Sequence, residues 1–227
     1  MSVLRNKDPA AQTAPSSAPD PQIAILMGLH NGQRWLDDQL ESLRCQTHTN
    51  WSLLVSDDGS ADQGPALVER FAQSCPVEGV AIHPGPCRGF ARNYLSMLAL
   101  VDPSVDTIAF CDQDDVWLPD RLARAARALR HVPDDIPALY VCATWITPSD
   151  LSSRRRSRPM PTQPSFTNAL VQCIGGGNTM ALNRAGLTLL RAAAPEAILA
   201  TGGAGPASHD WWAYQMIAGA GGRIIAD

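Results

Sequence analysis

The chain has 227 residues, 45% of them hydrophobic and 18% charged, which at roughly 150 residues per domain suits one domain with a core large enough to need no metal or disulfide staples. Its 18 basic and 22 acidic residues leave a formal charge of −4, which excludes a broad cationic face for a nucleic-acid backbone and with it nucleic acid as a main partner. Lys7 is the sole lysine, and the arginines that make up the other basic residues suit fixed phosphate or carboxylate contacts but follow equally from a biased genome.

Met1 to Asp20 is rich in Ala, Pro and Ser and lacks an apolar h-region, so it reads as a disordered extension and not as a signal peptide. No apolar run approaches the ~18 residues of a membrane span, and the six widely spaced cysteines form no C-x-x-C pair. Several of them fall in apolar runs, where cysteine behaves as a small buried hydrophobe, so the expectation is a soluble cytoplasmic protein in a reducing compartment.

From Pro21 onward short apolar runs alternate with helical periodicity. Ile23 to Leu29 predicts a strand, His30-Asn31-Gly32 a turn, and Leu36, Leu40 and Leu43 a helix. Ser52 to Val55 predicts a second strand ending in Ser56-Asp57-Asp58-Gly59-Ser60, followed by a helix over Ala66 to Phe71 behind Pro65. A weak third strand at Val80 to Ile82 precedes a helix over Phe90 to Leu100. Thr107 to Phe110 predicts a fourth strand running into Asp112-Gln113-Asp114-Asp115, and Pro119 opens a helix to about Arg130. Leu139 to Ile146 reads as a fifth strand, and Thr147 to Pro164 as a loop carrying the basic run Arg154 to Arg158. Gly175-Gly176-Gly177 precedes an apolar Thr179 to Leu182, Leu187 to Ala194 reads as a helix, and a glycine-rich loop, Gly202 to Gly205, leads to His209-Asp210-Trp211-Trp212. Ile224 and Ile225 form a last strand.

Wholly apolar strands alternating with helices imply an α/β fold, a Rossmann-like, mostly parallel sheet with helices on both faces. Such sheets bind ligands at the carboxyl ends of their strands, where the three polar turns of the first half lie, so those turns are expected to share one crevice. In Asp112-Gln113-Asp114 two carboxylates alternate just past a strand, a donor set that suits Mg2+ or Mn2+ bridging to a diphosphate. A helix cap or a solvated turn is the plain alternative. Asp57-Asp58 can accept the imide hydrogen of a uracil or thymine, or simply close a β-α turn. Gly175 to Gly177 fits a tight approach to a strand or to a ligand equally. His209-Asp210-Trp211-Trp212 pairs a carboxylate with aromatic surface at a helix start, a base beside a sugar-binding face or, alternatively, an N-cap followed by core tryptophans.

Together these residues resemble the family-2 glycosyltransferases of GT-A fold, over nearly all of Gln22 to Asp227. The resemblance is carried by Met27 to Gly32, Gln46-Thr47, Val55 to Ser60, Gly89-Phe90-Ala91-Arg92-Asn93, Cys111 to Pro119 and His209 to Trp212. The Asp-Gln-Asp-Asp-Val-Trp and His-Asp-Trp-Trp forms look most like the bacterial rhamnosyltransferase-like branch that builds cell-surface polysaccharide. The resemblance implies a domain over 21–227, with a nucleotide-sugar-binding half at 21–119 and an incomplete acceptor-binding half at 120–227. It implies that Gly28, Asn31, Asp58, Arg92 and Asp112 hold the nucleotide side, with Gly28 and Asp58 lining the base pocket. Asp112 and Asp114 would hold the divalent cation, and Asp210 would be the base of an inverting transfer.

The donor implied is a nucleotide-diphospho-sugar, dTDP-rhamnose ahead of a UDP-sugar, and the acceptor a glycan or lipid-linked hydroxyl. Peripheral contact with the inner face of the plasma membrane would fall to the arginine run. Gly28 departs from the small hydroxylated residue common in the family, His30 from a tyrosine. The chain also stops before the further basic motif and closing helices usual in relatives. A catalytically silent nucleotide-sugar binding module is therefore the alternative expectation, and a metal-dependent phosphohydrolase a third.

Overall fold

Period-two alternation in the first strand builds both sides of the molecule. In the computed structural model, which describes residues 20–227 except 76, 78, 149, 151, 162 and 204, β1 (Ile23–Leu29) sends Ile23, Ile25, Met27 and Leu29 into one hydrophobic cluster and Ala24 and Leu26 into another. The expected disordered extension lies outside the described residues apart from Asp20.

The chain continues through α1 (Gln33–Arg44), β2 (Trp51–Asp57), α2 (Gly64–Ser74), β3 (Val80–Pro84), α3 (Phe90–Leu100), β4 (Thr107–Cys111) and α4 (Arg121–Leu129). Then come β5 (Ala138–Val141), β6 (Trp145–Ile146), β7 (Arg155–Arg156), the single turn α5 (Phe166–Ala169), β8 (Met180–Asn183), α6 (Arg184–Ala200), α7 (His209–Gly219) and β9 (Arg223–Ala226). A seven-stranded sheet has the order β3-β2-β1-β4-β8-β5-β9. Every pairing in it is parallel except the two that β8 makes, with β4 and with β5.

The topology places the crevice. From β1 the chain moves outward through α1 and α2 to β3, and α3 then carries it back past β1 to β4. Right-handed crossovers in opposite directions put their helices on opposite faces. The apolar sides of α1, α2 and α4 accordingly share one cluster and those of α3, α6 and α7 the other. The switch falls between β1 and β4, and such a point leaves an open cleft beyond the carboxyl ends of the strands.

Several expected boundaries shift. The fifth strand stops at Val141, and Trp145 and Ile146 instead pair antiparallel with Arg156 and Arg155 in a separate hairpin. Ala138–Val141 is buried throughout while Trp145 and Ile146 are exposed, a difference that a run of apolar letters does not reveal. Part of the basic segment expected to be loop is therefore strand. The helix expected to end at Ala194 runs through Pro195 to Ala200, giving up one backbone hydrogen bond there. Cysteine burial is uneven: Cys111 is buried, Cys45 and Cys87 are exposed. Among the described residues no helix is long and apolar enough to cross a membrane.

The reversed strand β8 depends on Asn183. Its side chain accepts from the Ala138 and Gly186 amides, both at 2.9 Å, and donates to the Ile136 carbonyl at 2.8 Å. It therefore caps α6 and joins β8 to the start of β5. Asn183→Ala would remove the cap and strand two buried backbone groups, and we expect a loss of about 2–4 kcal/mol, read as a lower urea midpoint at unchanged slope.

Candidate active site

The three polar turns expected to converge do so, and side chains hold them together. The His30 amide donates to Gln113 Oε1 at 2.8 Å and Gln113 Nε2 donates to the His30 carbonyl at 3.1 Å, so the loops after β1 and β4 are cross-linked by one glutamine. Asn31, at φ +50°, a region that asparagine tolerates better than most residues, donates its backbone N–H to Ser60 Oγ at 2.9 Å and accepts through Oδ1 from the Ala61 amide at 2.8 Å. That ties the β1 loop to the β2 loop. Gln46 fastens the far end of the carboxylate loop, donating to the Leu118 carbonyl at 2.9 Å and accepting from the Leu122 amide at 3.1 Å. Nothing local in the sequence marks Gln113; only the fold brings it to face His30.

Asp58 accepts from the Gly89 amide through Oδ2 at 2.9 Å, while its Oδ1 is buried without a partner. Gly28 lies against the Tyr94 ring, where a Cβ at residue 28 would come within 3.0 Å of it. Tyr94 is fully buried and directs its hydroxyl at the Cys111 carbonyl, 2.6 Å, and at Asp112 Oδ1, 2.9 Å. Burial, followed by the Asp112 charge, raises its pKa well above the usual value, so the phenol keeps its proton and donates. Tyr94 was missed because an aromatic residue within a helix reads as ordinary core.

The carboxylates form a graded set. Asp112 is half-buried, and burial raises its pKa, offset by the Tyr94 hydroxyl and reinforced by the charges of Asp114 and Asp210. Asp115 is raised to about 7, first by burial and then by Asp112. Asp114 is exposed. Among the described residues no three His, Cys, Asp or Glu side chains form a ready-made cage. Mg2+ or Mn2+ needs only one or two protein carboxylates beside substrate phosphates and water, and Asp112 and Asp114 would supply two. Mutual repulsion between Asp112 and Asp114 is what a cation between them would relieve.

Asp210 reaches the same crevice from the opposite face of the sheet. It is the second residue of α7, and Ser208 occupies the N-cap position, so the capping alternative for Asp210 does not hold. Its Oδ1 accepts from the Trp211 amide at 2.7 Å and from the Ser208 hydroxyl, and burial raises its pKa. His209 beside it stacks on Tyr94 at 3.8 Å and 14°. Gly177 makes this approach feasible, since a Cβ there would lie 2.5 Å from His209 Nε2. Trp211 donates its indole N–H to the Ala169 carbonyl at 2.6 Å, so this tryptophan is engaged in holding α5. Arg92 donates to the Gly203 carbonyl at 3.2 Å, which links it to the loop before α7.

Comparison with known proteins adds identity to this geometry. The model of glycosyl transferase family 2 matches residues 24–186. The dTDP-rhamnosyl transferase RfbG of Shigella flexneri is 31% identical over 105 residues, 45% of this chain and 36% of that protein. The UDP-Glc:alpha-D-GlcNAc-diphosphoundecaprenol beta-1,3-glucosyltransferase WfgD of Escherichia coli is 32% identical over 100 residues, 44% and 38% of the two chains. Among solved structures, a Pyrobaculum calidifontis mannosyltransferase in complex with GDP-Man and Mn2+ superposes with a TM-score of 0.63 at 18% identity, over 95% of this chain and 57% of that one. S. aureus TarS 1-349 with UDP-GlcNAc gives 0.57 at 17% identity, over 74% and 46%. These likenesses show the GT-A fold, and the chain spans well under half the length of the two relatives.

The stacked histidine makes a measurable difference. Burial among Phe90, Tyr94 and Phe110 lowers the His209 pKa from 6.5 to about 3. Between those values the unfolded chain binds the extra proton, so stability present above pH 6.5 is lost as pH falls, by up to ~1.4 kcal/mol per pH unit. We expect His209→Gln to flatten the decline of melting temperature between pH 6 and pH 4 relative to the wild type, measured by circular dichroism; parallel declines would exclude His209 as the source.

Proposed function

The chain belongs to glycosyl transferase family 2, and from that premise we propose that it transfers a sugar from a nucleotide-diphospho-sugar to a hydroxyl of a glycan or lipid-linked acceptor, with inversion at the anomeric carbon. The observation that carries this reading is the meeting of Asp112, Asp114 and Asp210 in one crevice, close enough that both neighbours raise the Asp112 pKa. Asp58 supports the donor half: its orphan Oδ1 is an acceptor without a donor, and the imide N–H of thymine or uracil is one. The likeness to RfbG favours dTDP-rhamnose, and that to WfgD keeps a UDP-sugar as the other donor.

In this mechanism Gly28 and Asp58 line the base side, with Asn31 bracing the two loops and Arg92 holding the loop before α7. Asp112 and Asp114 would hold Mg2+ or Mn2+, whose chemistry there is neutralisation of charge on the departing diphosphate. Asp210 takes the proton of the acceptor hydroxyl as its oxygen attacks the anomeric carbon. The bond from that carbon to the diphosphate oxygen breaks, and the nucleoside diphosphate leaves with the electron pair. The raised Asp210 pKa moves it in the direction a general base requires. The reaction site would face the cytoplasm, with the exposed Arg155 and Arg156 of the β6–β7 hairpin meeting anionic lipid at the inner face of the plasma membrane.

Two substitutions separate the roles. Asp210→Asn should keep nucleotide binding and lose transfer by ~10²- to 10⁴-fold, measured as sugar release to acceptor against calorimetric nucleotide affinity; parallel losses in both would remove Asp210 from the base role. Asp114→Asn should abolish the manganese-dependent part of dTDP or UDP binding while leaving the metal-free part intact. Identical manganese dependence in wild type and variant would refute the assignment.

A further inference from the structure

Seven buried side-chain polar atoms lack a hydrogen-bond partner among the described residues, and four of them belong to residues lining one cavity: Asp115 Oδ2, Trp117 Nε1, and Nε and Nη1 of Arg121. Buried polar groups are normally paired, so this concentration points to a missing ligand. The cavity, of about 350 Å3, lies against α4. Its floor is Arg121, 6% exposed, with its guanidinium carbon 5.0 Å from the Trp117 ring centre and 5.4 Å from that of Tyr140. Nη2 reaches the Asn178 carbonyl at 3.4 Å. Among the described residues Arg121 forms no ion pair, whereas its neighbour Arg124 is taken by Asp227 at 2.7 Å. At the mouth, the exposed Arg154 lies 4.9 Å over the Trp145 ring.

Three of the four orphan atoms are N–H donors, on or beside a guanidinium that forms no ion pair among the described residues, with the Asp115 carboxyl near enough to feel its charge. That chemistry seeks oxyanion oxygens, which a guanidinium held between two rings meets in a fixed orientation. Trp145, 46% exposed, adds an aromatic surface of the kind that contacts a sugar ring. The cavity also shares Asp114 and Asp115 with the carboxylate loop, so it adjoins the proposed donor diphosphate. We propose that it is an acceptor subsite for a sugar carrying an oxyanion, a carboxylate or a phosphate, countered by Arg121 and Arg154. The acceptor role rests on the transferase reading; the binding of an anionic sugar does not.

The test is ligand-observed NMR titration, without metal or nucleotide, of methyl glucuronide, glucose 6-phosphate, glucose and inorganic phosphate. Both charged sugars should bind at least about tenfold tighter than glucose or phosphate, and Arg121→Gln and Arg154→Gln should each weaken them by about tenfold. Arg154 is exposed, so its variant reports even if Arg121→Gln fails to fold. Glucose matching the charged sugars, phosphate matching glucose 6-phosphate, or affinity unchanged by Arg154→Gln would each overturn the inference. Manganese-dependent dTDP or UDP binding, measured on the same wild-type sample, distinguishes the two failures. Nucleotide binding without charged-sugar binding sinks the subsite alone, and charged-sugar binding without nucleotide binding sinks the transferase reading and the acceptor role with it.

Discussion

The Tyr94 ring is where the two halves of the crevice are fastened to each other. One side of it meets Gly28 on β1, its hydroxyl meets Asp112 beyond β4, and His209 at the start of α7 stacks on it at 3.8 Å. A phenol suits this position because it presents a flat apolar face and a polar tip on one rigid side chain. Its raised pKa fixes the direction of the hydrogen bond, with Tyr94 donating and the Asp112 carboxylate accepting. A Cβ at position 28 would come within 3.0 Å of the ring, so the ring that contacts Asp112 and His209 would have to give by a few tenths of an ångström. The absence of a side chain at 28 is thus a constraint on the carboxylate on one side and on the helix bearing Asp210 on the other.

The carboxylates make that constraint costly. Asp112, Asp115 and Asp210 are all raised, first by burial in each case. A raised carboxyl pKa means that the folded state prefers the protonated form, so these groups favour the fold at low pH and oppose it as pH rises through their folded values. At neutral pH the crevice is therefore a source of instability, of the kind often concentrated at functional sites. What holds it is the bracing around it: Gln113 across to His30, Gln46 under the Leu118–Leu122 turn, Asn31 across to Ser60 and Ala61. Those polar side chains lock three loops onto two wholly apolar layers, and the layers supply the stability that the loops lack.

Legibility in the sequence followed the range of the interaction concerned. β1 and α3 have the bounds that their apolar patterns predict, because a doubly buried strand or an amphipathic helix writes its environment into consecutive letters. The separation of Val141 from Trp145 was not legible, since apolar residues in the sheet and in an exposed hairpin look alike. Asp58, Asp112 and Asp210 stood out because charge at a strand end or helix start is locally conspicuous. Tyr94, Gln113 and Arg121 did not: Tyr94 and Gln113 act through partners distant in sequence, His209 and His30, and the Arg121 guanidinium is set between Trp117 and the Tyr140 ring of another strand. Arg92, placed on the nucleotide side by resemblance, also donates to the Gly203 carbonyl, a contact that no local pattern announces.

The single reversed strand explains how a mostly parallel sheet brings a carboxylate from its second half to the same crevice. In a purely parallel sheet only the residues following each strand reach the carboxyl-end edge. β8 runs the other way, pairing Met180 with Val141 and Ala181 with Ala109, so the residues preceding it, Gly177 to Thr179, arrive at that edge instead. Gly177 offers α7 a surface without a Cβ, and His209 packs into that gap with Asp210 beside it. One change of strand direction, one glycine and one tyrosine therefore suffice to bring side chains almost a hundred residues apart into electrostatic contact. The same reversal sets Asn178 at the edge of the second cavity, where its carbonyl meets Arg121, so both sites are built on the segment that leads into β8.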